Sequence, residues 1–195
     1  VNVPLRIVDQ DEPEQIASSW QQQQFSLYGY DQPLTIHLAG SFQMLNAALA
    51  IRTVEAWDRA LAGSPAVYEG LEHARWPGRL ELMSEDPVTV LDGAHNPQAA
   101  RRLRETLEQQ AAGRRIVMLV GVVADKDSYR MLADVLFSPA YRVSGIVATE
   151  PSNPRRLPAS ELADRVEQTY RKESERHAGL EIRKPVVVSL ENRAE

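Results

Sequence analysis

The sequence predicts an α/β protein whose second part is a mostly parallel β-sheet with helices on both faces. Segments with strand and helix character alternate along residues 79–190, and this order is typical of parallel sheets. The internal strands are almost wholly apolar, as in "IVMLV" and "VSGIVA", which indicates strands buried on both faces. The chain has 195 residues, of which 43% are hydrophobic, and this is enough to build a core.

The first part of the chain combines short strands with one long helix. A strand followed by an acidic turn is predicted in "VNVPLRIVDQDEPEQ", and two further strands are predicted at Phe25–Tyr30 and Leu34–Leu38. The run Gln21–Gln24 is interpreted as a solvated helix end. From Ser41 to about Leu61, apolar residues recur every three or four positions, which predicts an amphipathic helix. Its packed face is expected to consist of Phe42, Leu45, Ala48, Leu49, Val54 and Trp57.

Residues 63–77 form a short polar segment, which we interpret as an interdomain linker. The alternating second part follows this linker. Its strands are predicted at Arg79–Met83, Val88–Leu91, Arg115–Gly121, Arg142–Ala148 and Val186–Leu190. Its helices are predicted at Pro97–Gln110, Ser128–Leu136 and Pro158–Arg176. In sheets of this kind, ligands bind at the carboxyl ends of the strands.

Composition and charge exclude several classes of function. The net charge is −5 and the basic residues are scattered, which argues against a nucleic-acid or membrane-binding face. The absence of cysteine excludes a disulfide scaffold and a thiolate metal site, and it fits a cytoplasmic protein. No apolar run approaches the roughly 18 residues of a membrane-spanning helix, and no signal peptide is recognised. Small molecules or proteins are the expected partners.

The motif "VLDGAHNP" places polar groups where a buried strand turns into a helix. Gly93 permits the turn, Asn96 suits the N-cap position, and Pro97 suits the first helical position. Asp92 at the strand end suits a ribose hydroxyl, and His95 beside a helix N-terminus suits a phosphate or an adenine face. The residues alone leave open whether Asp92 and His95 bind a ligand or only support the fold.

Three further residues are candidates for ligand contacts. Arg79 in "RWPGRLE" follows a Pro-Gly pair and suits a phosphate, although an ion pair with Glu81 or Glu85 is the alternative. Lys126 lies at a strand end between two acids and suits an anionic substrate group. Asn46 lies in an Ala-rich helix, where Asn is locally unfavourable, and its side chain needs a hydrogen-bond partner if it is buried.

Several motifs are absent from the sequence. It contains no Gly-Lys pair and therefore no P-loop, and it has no GxGxxG. The histidines lie in unrelated contexts, without a nucleophile elbow or the ligand spacing of a zinc site. No catalytic residue and no metal ligand are therefore predicted within this chain.

The order of the motifs is more specific than any one of them. "LAGSFQMLNAALAI", "PGRLE", "VLDGAHNP" and "GVVADKD" follow one another along the chain. This series closely resembles the second half of the folylpolyglutamate synthase/dihydrofolate synthase family, within the Mur ligase superfamily. The resemblance covers nearly the whole chain, and "DGAHNP" after "PGRLE" is typical of the folate branch. It implies that residues 78–195 form a Rossmann-like glutamate-ligase domain and that residues 1–62 end a central ATPase domain.

The resemblance also implies a chemistry. Members of the family use ATP and Mg²⁺ to phosphorylate a substrate carboxylate, and the amine of L-glutamate then displaces phosphate to form an amide. The expected acceptor is dihydropteroate or a folate. Asn46, Arg79 and Asp92 match family positions that contact ATP, His95 matches a position lining the same cleft, and Lys126 is a candidate for the phosphates or the incoming glutamate. Phe42 departs from the His or Tyr that is usual in the family.

The family's P-loop and Mg²⁺ ligands are expected upstream of Val1, so we expect this chain to be an inactive, monomeric fragment of a cytoplasmic enzyme. In the intact enzyme, Arg79→Ala and Asp92→Ala are expected to weaken ATP use far more than they change the melting temperature. Two alternatives remain at this point. One is a peptidoglycan-precursor ligase of the same superfamily, and the other is a non-catalytic Rossmann-like binding module.

Overall fold

The computed structural model describes residue 5 and residues 7–124, 127–176 and 184–190. The chain divides into two compact units, Val1–Gly93 and Ala94–Glu195. No helix among the described residues combines the length and apolar character needed to cross a membrane.

The first unit contains a three-stranded antiparallel sheet, helices and a separate hairpin. The sheet has the order β1-β2-β3, and it is formed by β1 (Glu14–Ser18), β2 (Gln23–Ser26) and β3 (Leu34–Ile36). The helices are α1 (Phe42–Trp57), a short 3₁₀ turn (Arg59–Leu61) and α2 (Pro65–His73). The hairpin pairs β4 (Glu81–Glu85) with β5 (Val88–Leu91) in antiparallel register. The core of the unit is the cluster of Phe25, Leu27, Tyr30, Leu34, Ile36, Met44, Ala47, Ala48 and Ile51.

The packed face of α1 differs from the prediction. Ala48 is buried as predicted, but the other buried apolar residues are Met44, Ala47 and Ile51, whereas Trp57 is 84% exposed. The helix has apolar residues on more than one side, so the sequence does not decide which stripe is buried. A buried ion pair decides it, because Arg52 and Glu55 lie on the core-facing side and bond to each other at 2.9 Å.

Two other expectations for this unit are corrected, and the predicted linker is found to contain a helix. The first strand lies at 14–18, later than predicted, and part of the predicted strand falls on residues 1–4 and 6, which lie outside the described residues. The glutamine run is no helix end, because Gln23 and Gln24 belong to β2 and Gln23 is fully buried. The predicted linker contains α2, and Val67, Tyr68 and Leu71 pack against the core of the first unit.

The second unit is a parallel sheet with three helices, and it confirms the predicted α/β class. The strands β6 (Arg115–Val120), β7 (Arg142–Thr149) and β8 (Val186–Leu190) pair in parallel in that order. The helices are α3 (Pro97–Gln110), α4 (Ser128–Leu136) and α5 (Ala159–Arg176). Helix α5 packs against β7 and β8 and buries Leu162 and Val166, while α3 packs against α4.

One face of this sheet is open among the described residues. Val117, Leu119 and Val186 point away from the buried side, with 69%, 72% and 68% of their surfaces exposed. Val117 pairs in register with Gly145, which pairs with Val186, so these residues share one face. The apolar composition of the strands predicts burial on both faces, and among the described residues this prediction is not met on the open face.

Candidate functional site

Two of the sequence motifs are joined by hydrogen bonds. We call residues 76–80, which carry the first of them, the arginine turn. The amide of Leu80 donates to Oδ2 of Asp92 at 3.0 Å. The amide of Gly93 donates to the carbonyl of Gly78 at 2.8 Å. The segments "PGRLE" and "DG" therefore hold each other in place, although 12 residues separate Leu80 from Asp92 in sequence.

Leu80 is the strained residue of the arginine turn, and sequence reasoning missed it. Its φ is 49°, in the left-handed region, and such a conformation costs a non-glycine residue about 1–2 kcal/mol. The side chain is nonetheless 2% exposed, and its Cδ1 would lie 2.8 Å from a Cβ added at Gly40. Burial against Gly40 and the bond to Asp92 therefore stabilise a conformation that leucine alone disfavours.

Arg79 is the residue that the turn presents. Its guanidinium lies over the ring of Trp76, with 6.0 Å between Cζ and the ring centroid. The predicted alternative, an ion pair with Glu81 or Glu85, does not form. Oε2 of Glu81 instead accepts from the amide of Gly78 at 2.7 Å, and Glu85 accepts from a glutamine side chain. Among the described residues, Arg79 therefore has an aromatic neighbour but no acidic partner.

Asp92 is half-buried, and its carboxylate is engaged with the protein backbone. A hydrogen bond from a buried amide to a carboxylate contributes about 1.5–3 kcal/mol to stability, which is more than a bond to a neutral acceptor contributes. The structural reading of Asp92, which the sequence left open, is thus supported by a specific bond. A contact with a ligand stays a prediction.

Asn46 lies on the exposed side of α1, in contrast to the buried position considered from the sequence. Its Nδ2 donates to Oε1 of Gln43 at 2.8 Å, and Gln43 is itself buried. The loop before α1 is fixed by Gln23, whose Nε2 donates to the carbonyls of Leu38 and Gly40 at 2.6 and 2.9 Å. Because Leu80 packs on Gly40, the start of the helix that carries Asn46 and the arginine turn belong to one packed region.

Helix α1 is also fixed by a buried charge network around Arg52. The guanidinium bonds to Glu12 at 2.6 Å, to Glu55 at 2.9 Å and to the carbonyl of Tyr28 at 2.7 Å. Burial lowers the pKa of Arg52, but the hydrogen bonds to Glu12 and Glu55 outweigh this and raise the pKa overall. The network is structural, since its charges are paired within the protein.

His95 belongs to the second unit, whereas Asn46, Arg79 and Asp92 belong to the first. It is exposed and immediately precedes Asn96, whose Oδ1 accepts from the amide of Ala99 at 2.8 Å. Asn96 is thus the predicted N-cap of α3, and Pro97 is its first residue. Lys126 lies outside the described residues, so its predicted role is not tested. Within those residues, no three His, Asp or Glu side chains are grouped so as to hold a metal ion.

The fold and the motifs define an α/β domain of the Mur ligase type, and comparison with known proteins shows the family. Residues 78–189 match the family described as "Mur ligase, glutamate ligase domain". The match covers more than half of the chain, so the chain belongs to this family and the predicted resemblance is confirmed.

Within that family, the relatives include folate enzymes. The chain is 37% identical to the folylpolyglutamate synthase of Lacticaseibacillus casei over 131 residues, or 64% of this chain and 29% of that protein. A structure of Mycobacterium tuberculosis folylpolyglutamate synthase complexed with ADP superposes with a TM-score of 0.70 and 28% identity. The superposition covers 92% of this chain and 36% of the Mycobacterium tuberculosis chain.

A cell-wall enzyme is also similar. The UDP-N-acetylmuramoyl-L-alanyl-D-glutamate--2,6-diaminopimelate ligase of Corynebacterium efficiens is 29% identical over 153 residues, or 77% of this chain and 28% of that protein. The chain therefore spans only about 28% to 36% of the length of these proteins.

Proposed function

We propose that the chain takes part in ATP-dependent ligation of L-glutamate to dihydropteroate or a folate. ATP transfers its γ-phosphoryl group to the acceptor carboxylate, which gives an acyl phosphate and ADP. The amine of glutamate then attacks the acyl carbon, phosphate leaves, and an amide forms. The 37% sequence identity to one folylpolyglutamate synthase supports this reaction, as does the superposition on another folylpolyglutamate synthase that is complexed with ADP.

The observation that carries the proposal is the arginine turn. It places a guanidinium on a hydrogen-bonded frame, with no acidic partner in the part of the chain that the structure describes. A guanidinium without such a partner suits bidentate binding of a phosphate. Asp92 supports the frame and is proposed to contact the ribose. Asn46 and His95 are also proposed to contact the nucleotide, and Lys126 is proposed to meet the phosphates or glutamate.

Mg²⁺ neutralises phosphate charge in reactions of this kind. No described residue of this chain is assigned to hold it, because the described carboxylates and histidines form no cluster. We further propose that residues 1–62 form a central-domain segment, residues 63–77 a linker and residues 78–195 a ligase domain. We also propose a monomeric state, a cytoplasmic location and no turnover by the chain alone.

The first test is ATP binding by the 195-residue chain, measured by calorimetric titration. Arg79→Ala is expected to weaken binding about tenfold or more, because a charge-assisted hydrogen bond contributes about 1.5–3 kcal/mol. Arg59→Ala is the matched control, since Arg59 is an exposed arginine of the same unit without a side-chain partner among the described residues. Equal affinity of the wild type and Arg79→Ala would contradict the phosphate role.

The second test addresses the reaction. The chain replaces the equivalent segment of the Mycobacterium tuberculosis folylpolyglutamate synthase, and glutamate addition is followed by mass spectrometry. We expect an ATP-dependent product with dihydropteroate. A product only with a UDP-muramoyl peptide would favour the cell-wall ligase, for which the Corynebacterium efficiens relative is the specific support. A folded chimera that binds ATP and makes neither product would favour the non-catalytic module.

A further inference from the structure

A cleft in the second unit is lined by arginines. It has a volume of about 1240 Å³ and is lined by Arg101 and Arg104 from α3, by Arg114 and Arg115 at the start of β6, and by Arg142 at the start of β7. We call it the arginine cleft. A concentration of positive charge at one place is unexpected in a chain whose net charge is −5.

Most of these arginines have no side-chain partner among the described residues. Within the part of the chain that the structure describes, several arginines form no ion pair, side-chain hydrogen bond or ring contact: Arg59, Arg101, Arg114, Arg115, Arg142 and Arg171. All but Arg59 and Arg171 line the arginine cleft. Elsewhere on the helices acids are placed for pairing, as in Arg102–Glu105 and Arg165–Glu161. The cleft is also lined by Asp134 and Glu173, but these acids lie beside Arg104 and Arg176. Within the described part of the chain, Arg101, Arg114, Arg115 and Arg142 are therefore left without an acidic partner.

Two of the unpaired charges are held side by side. Arg115 and Arg142 are register partners on the neighbouring parallel strands β6 and β7. In addition, the amide of Arg142 donates to the carbonyl of Arg114 at 3.0 Å, which brings a third arginine to the same edge. Like charges directly opposite each other destabilise a sheet. An arrangement that destabilises the free protein is typical of a site that is stabilised by a ligand of the opposite charge.

Arg104 adds an incompletely satisfied donor to the cleft. Its Nε is buried and forms no hydrogen bond. The nearest carboxylate oxygens are those of Glu108, 3.7 Å from Nε, and Asp134, 3.8 Å from Nη1, and both distances exceed a hydrogen bond. The guanidinium thus retains donor capacity that the protein does not use.

The arginine edge of the cleft lies at the amino ends of the strands of the second unit. In parallel α/β sheets, ligands are expected at the carboxyl ends of the strands. Arg115 is the first residue of β6 and Arg142 the first of β7, so these residues mark the amino ends. The six residues of β6 separate the two ends by about 17 Å.

We propose that the arginine cleft binds a linear polycarboxylate, namely an oligo-γ-glutamyl chain. The inference rests on the proposed function for the identity of the ligand, because a glutamate ligase acting repeatedly produces a row of carboxylates. Guanidinium groups match carboxylates with paired parallel hydrogen bonds. Several arginines along one cleft therefore favour a ligand with several carboxylates over a single glutamate.

The test is binding of penta-γ-L-glutamate to the 195-residue chain, measured by calorimetric titration at low ionic strength. Single L-glutamate and inorganic tripolyphosphate serve as comparison ligands. We expect binding of the pentamer, at least about tenfold weaker binding by the Arg115→Gln/Arg142→Gln double variant, and weakening as salt screens the charges. Arg171→Gln is the matched control, because this arginine is exposed and unpartnered on α5 but does not line the cleft.

The outcomes separate the possibilities. No binding by the pentamer, binding equal to that of single glutamate, preference for tripolyphosphate, or equal losses in the control would each overturn the proposal. The double variant is expected to melt no lower than the wild type, because it removes repulsion. If it does not fold, Arg101→Gln on α3 provides an independent variant, and unchanged affinity there would overturn the proposal. Loss of ligase activity in the chimera, with pentamer binding retained, would instead count against the proposed function alone.

Discussion

Asp92→Ala is expected to destabilise the first unit by about 2 kcal/mol. The substitution removes the acceptor of the Leu80 amide, and Leu80 is 2% exposed, so the amide loses its bond without ready access to water. Leaving a buried donor unsatisfied costs about 1–3 kcal/mol. For a unit of this size, Val1–Gly93, each kcal/mol lowers the melting temperature by about 4–8 °C. The expected decrease is therefore about 8–16 °C.

Two other variants isolate the cause. Asp92→Asn keeps a carbonyl oxygen that can accept from Leu80, so its cost is expected to stay below about 1 kcal/mol. Arg79→Ala removes only the contact with Trp76, about 0.5–1 kcal/mol. The sequence alone predicts that Asp92→Ala affects ATP use much more than stability. Because the Asp92 carboxylate accepts from the Leu80 amide, we instead expect Asp92→Ala to lower both ATP use and stability.

Tryptophan fluorescence makes the measurement specific to one unit. The three tryptophans of the chain are Trp20, Trp57 and Trp76, and all lie in the first unit. Unfolding in urea followed by this signal therefore reports the first unit, while circular dichroism reports both. An Asp92→Ala protein within about 0.5 kcal/mol of the wild type would refute the reasoning, since a surface position gives changes of that size.

The remaining predictions concern packing, charge and pH. Gly40→Ala is expected to cost more than about 1 kcal/mol in urea unfolding, because Gly40 has φ +94° and the added Cβ would lie 2.8 Å from Leu80. Arg52→Ala is expected to cost about 3–5 kcal/mol by the same measurement, because it removes the guanidinium that forms an ion pair with the buried carboxylate of Glu55. Burial raises the pKa of Tyr141 above its usual value near 10. The stability that this shift contributes is therefore fully present below a pH of about 10 and is lost as the pH rises further. Tyr141→Phe is expected to flatten this alkaline loss, whose slope is at most about 1.4 kcal/mol per pH unit, in urea unfolding followed by circular dichroism.

Each of these three has a clear contrary result. A Gly40→Ala protein as stable as the wild type would show that neighbouring side chains yield at little cost. An Arg52→Ala protein of unchanged stability would show that water replaces the ion pair. An alkaline profile that Tyr141→Phe leaves unchanged would assign the loss to other groups.

The sequence predicts the elements better than it predicts their packing. The bounds of α4 and β8 agree with the prediction residue for residue, since apolar periodicity and capping residues are local signals. The buried face of α1 was wrong because a buried ion pair, which joins residues far apart in sequence, selects the stripe. Gln23 was misplaced for a related reason, since its burial depends on two carbonyls beyond β3.

The candidate site was predicted in its residues but not in its connections. The motifs pointed to Arg79 and Asp92 separately, whereas the bond from Leu80 to Asp92 makes them one unit. A positive φ at a leucine leaves no mark in the sequence, because leucine is not a turn residue. The one available signal was the spacing of a Pro-Gly pair before "RLE" and a strand-end acid after it.

Because the parts of the arginine turn depend on one another, the order of the motifs is more informative than any single motif. The conformation of Leu80 costs about 1–2 kcal/mol, and the bond to the Asp92 carboxylate offsets it by about 1.5–3 kcal/mol. If Asp92 acts on Arg79 through Leu80, the Asp92→Ala and Arg79→Ala losses in ATP affinity must be non-additive in a double-variant cycle. Additive losses would mean that the two side chains meet the nucleotide independently. The coupling therefore distinguishes an aspartate that positions an arginine from one that only contacts a ligand.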